Sequence, residues 1–72
     1  MPGTARYEIR IAHALDEMTA RAFEGLELRS LGQITVIGGE LDQAALHGLL
    51  ERIRSMHLEL IEATRVPEPP AH

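Results

Sequence analysis

From Asp42 to Met56 the apolar residues Leu46, Leu49, Leu50, Ile53 and Met56 recur at spacings of three and four, a single stripe along one helix. A one-sided stripe has to be covered, so the rest of this 72-residue chain must supply a layer to cover it. Asp42 stands where an N-cap is wanted, and Leu41 before it can pack on Leu46 as a hydrophobic staple.

The covering layer reads as strands. Arg6 to Ala12 alternates, with Tyr7, Ile9 and Ile11 on one side and Glu8 and Arg10 on the other. Leu26 to Ser30 and Gln33 to Gly38 read as a hairpin joined at Leu31-Gly32 and bounded by a turn at Gly38-Gly39. Between the first strand and the hairpin, LDEMTARAFEG offers Asp16 as N-cap, apolar Leu15, Met18, Ala22 and Phe23, and Gly25 as a left-handed stop. Leu58 to Val66, halted by Pro67, reads as a fourth strand.

The element order is therefore β-α-β-β-α-β. We expect an α+β, ferredoxin-like two-layer sandwich over residues 6–66: a four-stranded antiparallel sheet of order 4-1-3-2 with two helices on one face. Residues 1–5 and 67–72 are expected to be flexible tails without a core anchor.

In this reading the helices cover Tyr7, Ile9, Ile11, Leu28, Ile34 and Val36. The open face then carries Glu8, Arg10, Glu27, Arg29, Thr35 and Ile37. The fourth strand is ambiguous, because Leu58, Leu60 and Val66 share one parity and Ile61 and Ala63 the other. Either choice leaves apolar side chains outside, which makes Ile37, Leu60 and Val66, with Arg10 and Thr35, the candidate interface.

Composition narrows the function classes. Eleven acidic against seven basic residues give a net charge of −4, which opposes nucleic acid and anionic lipid as partners. All seven basic residues are arginine, a bias of high-GC bacterial genomes, and no lysine is available for Schiff-base chemistry. The chain has no cysteine, so neither a disulfide nor a thiolate supports its small core, and self-association is favoured. No apolar run approaches a membrane span and the N-terminus lacks a signal-peptide core, so the expected location is the cytoplasm.

Candidate chemistry is sparse. Of His13, His47, His57 and His72, the element order brings only His13 and His57 to the same edge of the sheet; were they adjacent, Asp16 or Glu59 would complete a two-histidine, one-carboxylate metal set, the weaker of two readings, and no metal site is expected. The plainer reading makes His13 a loop residue and His57 a favourable charge at a helix C-terminus. The Gly38-Gly39 turn is a poor anion site with Glu40 and Asp42 beside it. Ser30 has no histidine partner, so no catalytic constellation and no cofactor site is expected.

Known families with this element order require residues that are missing here. AHALDE after strand one lacks the CxxC of heavy-metal-associated domains and the arginine loop of acylphosphatases, and QITVIG lacks the stacking aromatics of RNA-recognition motifs. ACT-type regulatory domains, which bind small effectors at dimer interfaces, resemble it weakly.

Tyr7 to Val66, above all DQAALHGLLERIRSMHLELIEATRV, resembles small stand-alone proteins of uncharacterised families common in high-GC actinobacteria. That resemblance implies the architecture and a bacterial origin but no catalytic residues. Its pattern is made of core and cap positions: Asp42, Leu46, Gly48, Leu49 and Ile53. Gly48, inside the helix, is expected to allow close approach of the first helix. The expected function is a non-enzymatic self-associating module, a dimer first, acting on itself or on a larger protein partner. The alternative is an ACT-like ligand-binding domain.

Overall fold

The structure is a computed structural model that describes residues 3–67. The expected tail 68–72, with His72, and residues 1 and 2 lie outside the described residues. Six elements follow in order: β1 (Ala5–Ile11), α1 (Glu17–Ala22), β2 (Glu27–Leu31), β3 (Ile34–Leu41), α2 (Gln43–Ser55) and β4 (Leu60–Val66). All strand pairs are antiparallel, in the order β2-β3-β1-β4, which is 4-1-3-2 read from the β4 edge.

The helices form where their caps and stripes require. The Asp16 carboxylate accepts the Thr19 N–H at 2.7 Å, and the Asp42 carboxylate accepts the Ala45 N–H at 2.7 Å, each satisfying an amide that the first helical turn leaves unpaired. Leu41 and Leu46 are both buried in one cluster, as the staple requires. At the other end of α1 the Arg52 guanidinium donates to the Ala22 carbonyl at 2.6 Å, tying the short helix to α2.

Register decides which face is buried. Ile9 stands opposite Ile37, Tyr7 opposite Gly39 and Ile11 opposite Thr35, while Leu28 of β2 also meets Ile37. Directly opposed residues share a face, so Ile37 and Thr35 point toward the helices with Ile9 and Ile11. Ile37 is 0% exposed, in one cluster with Phe23, Leu46, Leu49 and Ile53. The expected placement of Ile37 and Thr35 on the open face is therefore corrected, as is that of Ile34 and Val36 on the helix side. The alternation QITVIG fits both phases. What selects one is the two-residue loop Gly32-Gln33, with Gly32 at φ +65°, which sets Leu31 opposite Ile34 and Thr35 opposite Ser30.

The glycine pair is also corrected. Gly38 and Gly39 are interior to β3, where each leaves room for a neighbour rather than making a turn. A Cβ on Gly39 would lie 2.7 Å from Leu26 Cδ2 on the helix side. One on Gly38 would lie 3.1 Å from Arg6 Nη2 on the open side.

Three further expectations change. Ala5 is buried as the first residue of β1, so the strand starts one residue into the expected tail. Met18 is 77% exposed while Thr19 takes the inward position, because α1 has only six residues and Phe23 beyond it fills the core. Gly48 is exposed, and among the described residues nothing lies within 4 Å of a Cβ built there, so α1 does not approach it.

Candidate functional site

The open face of the sheet is a charged lattice. Arg6 on β1 reaches across β3 above Gly38 and donates from both terminal nitrogens to the two carboxylate oxygens of Glu27 on β2, one of these bonds at 3.0 Å. That forked pairing holds Glu27 below the usual carboxylate range and raises Arg6 further, chiefly through the hydrogen bonds themselves. Arg10 lies 3.8 Å from Glu62 of β4, and Arg29 4.0 Å from Glu8. Val36, between Arg10 and Arg29 in register, is only 2% exposed although it is on this face. The aliphatic stems of the flanking arginines stand on either side of it. An apolar face built around Ile37 does not exist; the polar groups on this side largely satisfy one another.

The apolar exposure is at β4 instead. The pairing with β1 slips between Arg10 and Ile11: Glu62 opposes Arg10 and Leu60 opposes Ile11, so Ile61 is the extra residue of a β-bulge. The bulge resolves the parity conflict seen in the sequence. Downstream of it Ala63 opposes Ile9 on the helix side and Val66 opposes Arg6 on the open side, while upstream Leu60 returns to the helix side. Leu60 is 45% and Ile61 48% exposed. With Leu50, Glu51, Ile53, Arg54 and Leu58, Leu60 lines an open groove of about 390 Å³ between α2 and the start of β4.

The groove owes its shape to the end of α2. Leu58 N–H donates to Ile53 O at 3.1 Å and His57 N–H to Arg54 O at 3.0 Å, the paired bonds of a Schellman motif. Its left-handed position is filled by His57, at φ 61°, where glycine is usual. The turn packs Leu58 against the core cluster that contains Ile53, on the side where this motif favours an apolar contact. The sequence carried a signal for both features: the mixed parity of Leu60, Ile61 and Ala63 for the bulge, and Ile53 five residues before Leu58 for the cap.

His13 and His57 belong to separate local structures among the described residues. His13 Nε2 lies 3.6 Å from an Asp16 oxygen, and the His13 carbonyl accepts the buried Thr35 hydroxyl at 2.7 Å. Asp16 sits below the usual carboxylate range because it caps Thr19, with His13 adding to the effect. His57 has its structural post at the α2 cap. Among the described residues no group of three or more His, Cys, Asp or Glu side chains could hold a metal ion. The remaining expected interface residues are dispersed: Arg10 in the lattice, Thr35 and Ile37 in the core, Leu60 in the groove, and Val66 half-buried near the end of β4.

A family model described as a domain of unknown function, DUF8691, matches residues 6–64. The chain belongs to the DUF8691 family. The matched span begins in β1 and ends in β4, so the DUF8691 domain takes in both helices, the charged lattice and the bulge. No curated protein and no solved structure matches the chain. No helix among the described residues is long and apolar enough to cross a membrane.

Proposed function

We propose that this DUF8691 domain is a non-enzymatic self-association module of ferredoxin-like architecture, and that two copies join through the β4 edge. The observation that carries the reading is β4 itself. It is a seven-residue edge strand, exposed at every residue but Val66, with Leu60 and Ile61 side by side at its start. An edge strand presents unpaired N–H and C=O groups to any strand laid beside it. The opposite edge, β2, is shorter, and its Glu27 and Arg29 are already engaged with β1. The small core of a cysteine-free chain adds a reason to gain stability by association. The reading includes a cytoplasmic setting and an origin in a high-GC bacterium, the all-arginine basic set being the support for the latter.

Light scattering behind size exclusion, from low to high micromolar protein, tests it. The expected mass is twice the 8.0 kDa of one chain, falling toward one chain in Thr64→Lys, since a lysine in the regular part of an edge strand opposes pairing. A strict monomer, or an oligomer that Thr64→Lys leaves unchanged, refutes the proposal.

The groove between α2 and β4 favours a second reading, an ACT-like domain that seats a small apolar ligand on Leu50, Ile53, Leu58 and Leu60. Under that reading a thermal-shift screen of small apolar acids gives a response that Leu60→Glu abolishes. A screen with no responsive class removes it.

A further inference from the structure

The self-association reading leaves open how the two strands align, and the β4 sequence restricts this sharply. Two identical antiparallel edge strands joined into one continuous sheet are related by a two-fold axis perpendicular to the sheet, so residues directly opposite each other must share a face. Between the bulge and the proline, the open-face residues are Glu62, Thr64 and Val66, and the helix-side residues are Ala63 and Arg65. The axis must then pass beside one residue of the strand.

An axis beside Glu62 sets two glutamates against each other, and one beside Arg65 sets two arginines against each other; like charges directly opposed destabilise a pair. An axis beside Ala63 places Arg65 against the bulged Ile61, where the ladder is irregular, and keeps only residues 62–64 in regular pairing. An axis beside Thr64 uses the whole regular segment Glu62–Val66. The bulge residue Ile61 and the chain-stopping Pro67, which has no N–H to offer, lie three residues to either side of that centre.

We propose, on the basis of the self-association reading, that two copies pair β4 with β4 about a two-fold axis at Thr64, making one eight-stranded antiparallel sheet. Thr64 faces its own copy, a favourable cross-strand pair. Ala63 opposes Arg65 of the second copy and leaves room for its guanidinium, and Glu62 opposes Val66. No like charges meet. The bulge and the proline together set the register, each ending the ladder at the same distance from the axis.

The absence of cysteine makes the test clean, because each introduced thiol is the only one in the chain. At the axis the two Cα atoms stand about 4.5–5.5 Å apart, inside the disulfide range. Residue 63 and its own copy are displaced by two residues, roughly 7 Å along the strands, as are residue 65 and its copy.

Thr64→Cys, Ala63→Cys and Arg65→Cys would be oxidised with diamide, with Arg29→Cys on the opposite edge giving the level of random collision. Each variant is checked by its melting curve and its light-scattering mass. The expected result is a disulfide-linked dimer as the main species of Thr64→Cys, and several-fold less from the other three. A β4-dependent dimer that cross-links best at 63 or 65 overturns the register and leaves the self-association reading standing. Monomers throughout by light scattering overturn both.

Discussion

Replacing Gly48 by alanine should stabilise this protein, by an amount that follows almost entirely from the backbone. Gly48 lies in the interior of α2, with helical residues on both sides, and none of the described residues lies within 4 Å of its side-chain position. Packing therefore neither adds to nor subtracts from the change. What remains is the helix-propensity difference, about 0.8–1.0 kcal/mol in favour of alanine, part of it arising from the narrower conformational range of the unfolded chain. For a domain of this size that corresponds to a rise in Tm of about 4–8 °C.

Urea unfolding followed by circular dichroism, with wild type and variant at one protein concentration, measures it. The midpoint should rise with the slope unchanged, the mark of a true stability change. A midpoint that stays level or falls would refute the reasoning: something would then contact the helix at Gly48. Repeating the pair at a tenfold lower concentration separates a neighbour within the chain from a second copy, since only the latter is sensitive to dilution.

His57→Gly should also stabilise, by about 1 kcal/mol, because His57 holds the left-handed position of the α2 cap, which costs a side chain about that much; the same unfolding assay reads it. Ile37→Ala should cost about 2–5 kcal/mol, as for a large side chain deleted from a core, whereas a residue on an open face would give a change within about 0.5 kcal/mol, so one melting curve checks the face assignment. Glu27 and Asp16 both have lowered carboxyl pKa values. Their stabilising contribution is therefore complete above the ordinary carboxylate range, about pH 4, and is lost as pH falls through their lowered values. Stability measured against pH should fall on the acid side, and Glu27→Gln and Asp16→Asn should each flatten that fall; unchanged slopes would refute the assignment.

Much of the fold was legible in the sequence because it is written in local patterns. The stripe from Leu46 to Ile53, the caps Asp16 and Asp42 and the alternation of β1 each follow from interactions within a turn or two of backbone, and the structure has all of them. The element order follows from their succession. The candidate site was less legible, since a β3 reading Ile-Thr-Val-Ile suits either face, and only pairing with β1 and β2 chooses the phase that buries Ile37 and leaves Val36 beneath arginines.

The fourth strand shows the same division most clearly. Leu60, Ile61 and Ala63 state a conflict of parity, and no local rule says which side yields. Pairing with β1 decides it, by expelling Ile61 into a bulge so that Leu60 and Ala63 both turn toward the helices. By itself, then, the sequence determined the elements, their caps and their order, because those depend on near neighbours. Only the tertiary structure decided which side chains are buried, which salt bridges cross the sheet and where apolar surface remains, because these depend on register between strands far apart in the chain.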